Sequence, residues 1–295
     1  MDYTITLVAS NTPLTAGHIA ILERFLEETG VLITGEPAWL QHHKAADVPV
    51  AESLTLIQMH ALQRLFEKDR IDVFCTRTES RRKKLLLADM DSTIVTTETL
   101  DELADFVGLK EKVADITTRA MQGELDYQES LRERVRLLKG LSADKMQETL
   151  EQTELTDGAE KLVQTMREGH AASILVSSGF TFFTEAIAAK CGFTGHHGNV
   201  LGIKDGVLDG SVQEPILDKD SKLAYLEGYK EKLGLTYDNI AAIGDGANDL
   251  PMLQTAGLGI GFHPKPILRE SILNCVIHGD LTAVLYAQGY KNMKD

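Results

Sequence analysis

The sequence predicts an α/β fold: a parallel sheet buried on both faces, split by a helical insertion and preceded by a small α+β unit. Three observations lead there. Leu85 to Ala88, Ser173 to Val176 and Ile240 to Ile243 are short continuous apolar runs, each followed by a polar or glycine-bearing turn and then by helical patterning, as strands covered on both sides should be. The charged, mostly helical stretch from Glu98 to about Gly169 is far too long for a simple crossover between strands. Residues 1–82 have a different texture, with strand and helix periods but no cluster of catalytic residue types.

In that first unit, Tyr3 to Ala9 is strand-like, and Thr15 to Thr29 carries Ile19, Leu22, Phe25 and Leu26 at helical spacing before Gly30, a helix stop. Val31 to Thr34 resumes a short β-like run. After a polar stretch containing Pro37 and Pro49, Ser53 is placed to cap a helix whose Leu54, Ile57, Ala61 and Leu65 share one face. Ile71, Val73 and Cys75 then alternate with Asp72, Phe74 and Thr76, the pattern of a half-buried strand. The order fits a small ferredoxin-like module. Arg77, Arg81, Arg82, Lys83 and Lys84 follow as a basic junction, read as a solvated linker because no aromatics are interleaved with the charges. The second domain is then 83–295, with the helical insertion at about 98–160.

Composition bounds the function. The chain has 295 residues, 43% hydrophobic and 25% charged, so a folded chain of about two domains is expected. Its 44 acids outnumber 30 bases for a net charge of −14, which makes nucleic acid and membrane surfaces poor partners. An anionic small-molecule substrate would need a local cation. Three widely spaced cysteines, Cys75, Cys191 and Cys275, suggest neither a disulfide framework nor a zinc site, and the N-terminus has no apolar targeting segment. The cytoplasm is the expected compartment.

Residues just past the carboxyl ends of parallel strands are where ligands bind in open α/β sheets. Here they are Asp89-Met90-Asp91-Ser92-Thr93, Ser177-Ser178-Gly179-Phe180 and Gly244-Asp245-Gly246-Ala247-Asn248-Asp249. Each alone reads as an ordinary loop, since Gly, Asn and Asp dominate turns. Together they bring several carboxylates to one sheet edge, where like charges need a counter-ion, and hard oxygen ligands favour Mg²⁺.

These motifs resemble those of the haloacid dehalogenase superfamily of phosphohydrolases, whose fold is a Rossmann-like parallel sheet with a cap inserted after the first motif. Asp89-Met90-Asp91-Ser92-Thr93 is similar to its first motif, Ser177 to the second, Lys222 to the third and Gly244 to Asp249 to the fourth. From about residue 84 to the C-terminus the likeness is to the phosphoserine phosphatases within it. It extends to Glu98-Thr99-Leu100-Asp101-Glu102, Met121-Gln122-Gly123, Ser130 to Val135 and Lys265-Pro266-Ile267-Leu268. Where that family commonly has S-G-G-F, this chain has Ser178, whose side chain would tighten any close approach of phosphate to its amide.

The resemblance implies hydrolysis of O-phospho-L-serine to L-serine and phosphate, the last step of serine biosynthesis. Asp89 would be the nucleophile, and Asp91 first the general acid and then the base. Mg²⁺ would be held by Asp89, Asp245 and the Asp91 carbonyl, with Asp249 ordering its shell. Ser177 and Lys222 would stabilise the transferring phosphoryl group. Glu98 would meet the substrate ammonium and Arg134 its carboxylate, with Ser177, Ser178, Asn248, Met121 and Tyr127 completing substrate binding. Helix spacing supports Arg134, because Tyr127, Leu131, Arg134 and Leu138 share the apolar side while Arg132 and Arg136 point away. Another small phosphorylated alcohol, such as phosphothreonine or phosphohomoserine, is the alternative substrate. A phospho-accepting signalling receiver is the alternative class. Residues 1–82 look like the ACT-type modules that bind amino acids or join two copies in a homodimer.

Overall fold

The computed structural model describes residues 2–121 and 124–293, with only the backbone of Met121. The N-terminal unit is β1 (Tyr3–Ala9), α1 (Ala16–Glu28), β2 (Ala38–Gln41), β3 (Ala45–Val50), α2 (Leu56–Leu65) and β4 (Ile71–Arg77). Its antiparallel sheet has the order β2-β3-β1-β4, which is the ferredoxin-like arrangement expected. Two details differ from the sequence reading. Val31 to Thr34 forms no strand, contributing only a bridge between Ile33 and Val50. The missing pair, β2 and β3, occupies the polar stretch instead, and Pro49 is tolerated because β3 has by then run past the last residue paired with β2. In α2 the cap is Thr55 rather than Ser53, and Ile57 is 80% exposed while Met59 and Leu62 are buried, followed by Phe66 just past the helix end. That helix has two apolar stripes, and the one carrying Met59 and Leu62 faces the core.

The larger sheet has six parallel strands in the order β12-β11-β10-β5-β6-β7. These are β5 (Leu85–Ala88), β6 (Ala172–Phe180), β7 (Gly195–Asn199), β10 (Ile240–Gly244), β11 (Leu258–Phe262) and β12 (Asn274–Val276). The strand period sorts residues into two cores. Leu85, Leu87, Ile174, Val176, Ile240 and Ala242 face one layer, and Leu86, Ala88, Leu175, Ala241 and Ile243 face the other. Helices α7 (Ala159–Glu168), α8 (Thr181–Cys191), α9 (Lys219–Lys232), α10 (Leu250–Thr255), α11 (Pro266–Ser271) and α12 (Ala283–Ala287) belong to this part of the chain. From β5 the chain proceeds to β6 and β7 on one side and returns to β10, β11 and β12 on the other. The β5/β10 boundary is therefore the topological switch point, where crevices form.

The insertion after β5 is helical as expected: α3 (Thr99–Asp105), α4 (Lys110–Met121), α5 (Tyr127–Leu137) and α6 (Asp144–Gln152). A hairpin, β8 (Leu201–Lys204) and β9 (Val207–Val212), completes it from a distant part of the sequence. The Gly140 N–H donates to the Leu208 carbonyl at 2.8 Å, and the Leu208 N–H to Leu141 at 2.8 Å. Asp205-Gly206, with φ of 50° and 79°, makes its turn, the strongest short-range hairpin signal a sequence offers.

The strand β4 is buried on both faces, because the second face of the N-terminal sheet packs on the parallel-sheet domain. Phe74 joins the large core there. Asp72 accepts backbone N–H bonds from Ile277, His278 and Gly279 at 2.8, 3.0 and 2.8 Å. The Asn274 side chain pairs with the Cys75 backbone, accepting at 2.7 Å and donating at 3.2 Å. The basic junction is a solvated linker only in part, at the exposed Arg82 and Lys84. Arg81 is bidentate on Asp47 at 2.6 and 2.8 Å, and Lys83 is buried, with Nζ donating to the Asp238 carbonyl at 2.8 Å. A basic run reads as solvated only while the acids that meet it, distant in sequence, are out of sight.

Candidate active site

The sheet brings two acidic loops side by side. Ala88 and Ile243 are partners in the β5/β10 ladder, and the Asp89 N–H donates to the Ile243 carbonyl at 2.9 Å, so Asp89 begins its turn next to Gly244. Ser92, at φ 54°, then reverses the chain. The Asp91 carboxyl accepts the Thr99 N–H at 2.9 Å and the Ser177 hydroxyl at 3.3 Å, while Ser177 Oγ accepts the Gly179 N–H at 2.8 Å. First and second motifs are thus bonded to each other.

Two glycines make the close approach feasible. A Cβ at Gly244 would lie 2.3 Å from the Asp249 carboxyl carbon, and one at Gly179 would lie 2.8 Å from Asp91 Oδ2. The position that admits no side chain is therefore Gly179. Ser178 is accommodated: it lines a neighbouring cavity, and its carbonyl accepts from Asn199 Nδ2 at 2.7 Å.

Oxygen atoms of Asp89, Asp245 and Asp249, all buried, lie within 4.8 Å of one another. Lys222, 1% exposed, reaches two of them, at 2.8 Å to Asp89 Oδ1 and 2.6 Å to Asp249 Oδ1. Burial works against the Lys222 charge, but the two carboxylates outweigh it and hold its pKa above the ordinary lysine value. Lys265 Nζ lies 2.9 Å from Asp245 Oδ2 and 3.8 Å from Glu98 Oε1. Burial and the charge of Asp89 push Asp249 up to about 7, and burial with Glu98 and Asp89 pushes Asp91 up to about 8. Asp245 and Glu98 are raised too, chiefly by burial. Two ammonium groups do not satisfy five crowded carboxyls, and the buried Asn248 Oδ1 has no partner among the described residues. This all-oxygen donor set fits a hard divalent cation.

A cavity of about 460 Å³ opens beside this cluster, between the sheet edge and the helical insertion. Asp91, Glu98, Tyr127, Arg134, Ser178 and Asn248 all line it. Glu98 precedes α3 and accepts the Ser92 hydroxyl at 2.8 Å. Arg134 is buried on the inner face of α5, with Nη1 donating to Thr117 Oγ1 at 2.9 Å and Nε to the Ser130 carbonyl at 3.3 Å. Arg132 turns outward to Glu214 at 2.6 Å. The Met121 side chain lies outside the described residues.

Residues 86–254 match the family described as haloacid dehalogenase-like hydrolase. The chain is 38% identical over 205 residues to the phosphoserine phosphatase of Methanocaldococcus jannaschii, covering 70% of this chain and 97% of that one. The chain belongs to the haloacid dehalogenase-like hydrolases, in their phosphoserine phosphatase family. It is 40% identical over 193 residues to the phosphoserine phosphatase of Archaeoglobus fulgidus, covering 65% of this chain but spanning only 56% of that protein's length. The likeness to phosphoserine phosphatase SerB2 of Mycobacterium tuberculosis, 35% over 291 residues, covers 97% of this chain and 71% of that one. Among solved structures, a HAD family hydrolase from Salmonella enterica serovar Typhi aligns over 97% of this chain and 98% of that one, with a TM-score of 0.83 at 27% identity. A phospho-aspartyl intermediate analogue of phosphoserine phosphatase aligns over 72% and 100%, with a TM-score of 0.66 at 38% identity.

Within this phosphatase fold the predicted site residues fall into two groups. Asp89, Asp245, Asp249 and Lys222 form the buried charge cluster, and Asp91, Glu98, Arg134, Tyr127, Ser178 and Asn248 face the cavity. Ser177 joins them through Asp91. The carboxyl of Asp91 is not in the cluster with the other three; it faces Ser177 and Thr99. Lys265, which the sequence reading quoted within Lys265-Pro266-Ile267-Leu268 but gave no role, joins the site as well. Its signal was a Lys before Pro266, which starts α11, a position whose backbone is held at a helix entrance.

Proposed function

We propose that the chain hydrolyses O-phospho-L-serine through a covalent phosphoryl group on Asp89. The observation that carries this reading is that one cavity presents Glu98 and Arg134 together with Asp91. A substrate bearing an ammonium and a carboxylate beside its phosphate would pair with both. The Asp89 carboxylate attacks phosphorus and the ester O–P bond breaks, while Asp91 gives its proton to the departing serine oxygen. A raised pKa on Asp91 suits that donation. Asp91, then ionised, takes a proton from water as the water oxygen attacks phosphorus, releasing phosphate and restoring Asp89. Ser177 and the N–H groups around Gly179 orient phosphoryl oxygens, and Lys222 holds Asp89 in place with a fixed positive charge.

Mg²⁺ is the ion that best suits this donor set. Asp89, Asp245 and the Asp91 carbonyl would hold it, with Asp249 ordering the shell, and when bound it supplies charge neutralisation between nucleophile and phosphoryl oxygen. Turnover of O-phospho-L-serine compared with O-phospho-L-threonine and O-phosphohomoserine tests the substrate; a clear preference for another ester discards phosphoserine while keeping the phosphatase. The division at residues 82/83, the cytoplasm as compartment and a homodimer through residues 1–82 belong to the same proposal. No helix among the described residues is long and apolar enough to cross a membrane. Light scattering that gives a monomer mass across a wide concentration range discards the dimer.

A further inference from the structure

The geometry points to a positioning role for Lys265: we propose that its ammonium occupies Asp245 in the metal-free site and thereby weakens, and so tunes, the binding of the divalent ion. This rests on the metal-dependent phosphatase reading above. Lys222 and Lys265 each contact the acidic cluster, but differently. Lys222 is wholly enclosed and bonded to Asp89 and Asp249, so it is a permanent part of the site. Lys265 is partly exposed, with 39% of its side chain accessible, and it bridges a cluster carboxylate, Asp245 at 2.9 Å, to a substrate-cavity carboxylate, Glu98 at 3.8 Å. Its backbone N–H donates to the Asp245 carbonyl at 2.9 Å, and Pro266 follows at the start of α11. The base of the side chain is therefore fixed relative to Asp245, while the side chain as a whole is only partly covered.

Room for movement exists on the far side. Lys265 and Asp245 also line a cleft of about 770 Å³ between the N-terminal unit and the parallel sheet, into which the ammonium would withdraw when a divalent ion takes Asp245. A cation held against a metal-binding carboxylate competes with the metal for it. It also lowers the negative charge that a dianionic phosphate must approach. Loss of Lys265 should therefore move two affinities in opposite directions, tightening the metal and loosening phosphate. Loss of a lysine that served only to hold the fold would not tighten metal binding.

The test uses the full chain as wild type, K265M and K265R, each checked for native circular dichroism, with K265Q replacing K265M should that variant be unfolded. Mn²⁺ is titrated without substrate and the free ion is followed by electron paramagnetic resonance. K265M, or K265Q in its place, is expected to bind Mn²⁺ about tenfold tighter than wild type, and K265R to stay within about twofold because its charge is kept. Inhibition of the metal-loaded enzyme by inorganic phosphate should weaken several-fold in the uncharged variant. Mn²⁺ affinity unchanged or weakened in that variant overturns the proposal while leaving the phosphatase reading intact. A wild-type chain that takes up no Mn²⁺ or Mg²⁺ overturns both.

Discussion

Among the described residues, two regions bury carboxylates, and they treat them in opposite ways. At the junction between the two sheets, Asp72 accepts three backbone N–H groups and Asp47 a bidentate arginine, so each acid is matched by fixed donors. At the ends of β5 and β10, Asp89, Asp245 and Asp249 share two ammonium groups with Glu98 and, among the described residues, leave Asn248 Oδ1 without a partner. The first arrangement is what stability demands of a buried charge. The second is short of positive charge, which costs stability and invites a cation and a phosphoryl group. Matched acids hold the structure; unmatched ones serve chemistry.

That contrast is open to breaking. The largest effect is expected from Asp89→Asn, which should lower kcat on O-phospho-L-serine by at least about 10⁴-fold with the melting temperature unchanged or raised, since one of three crowded charges is gone. A variant that loses activity by unfolding would contradict the division of roles. Removal of divalent ions by a chelator should likewise abolish turnover reversibly, with Mg²⁺ restoring it. Arg134→Ala is expected to raise KM for O-phospho-L-serine by about 10²-fold, with a smaller change for an ester lacking the carboxylate; an equal change for both would remove Arg134 from substrate recognition. The smallest effect on chemistry belongs to Asp72→Ala. It should destabilise the fold by about 2–4 kcal/mol in denaturant titration, since three buried N–H groups lose their acceptor, while kcat per folded molecule stays near wild type.

The same contrast explains what was legible in the sequence. Leu85 to Ala88 and Ile240 to Ile243 became strands with almost the expected bounds, because runs buried on both faces need no partner to be recognised. The site residues were legible for a related reason: each follows such a strand, and the carboxyl ends of parallel strands converge. The junction was not. Arg81 and Lys83 looked solvated, and Asp72 looked like the wet side of a strand, because the groups that bury them, Asp47, Asp238 and the backbone of residues 277–279, lie far away in sequence. In α2 two apolar stripes competed and local periodicity had no means of choosing between Ile57 and Met59. The cap hairpin went unread although Asp205-Gly206 marks its turn, and its place against α5 depends on contacts with Gly140 and Leu141. Lys265 became a site residue only once the turn after β11 was seen to fold back over Asp245.

The central claim is that Asp89 carries the phosphoryl group between the two half-reactions. Rapid acid quenching of the Mg²⁺-loaded enzyme with ³²P-labelled O-phospho-L-serine, followed by peptide mapping, tests it most directly. The label should appear on the peptide containing Asp89 within the first turnover and be absent from Asp89→Asn. Full-rate hydrolysis with label on another residue would contradict it.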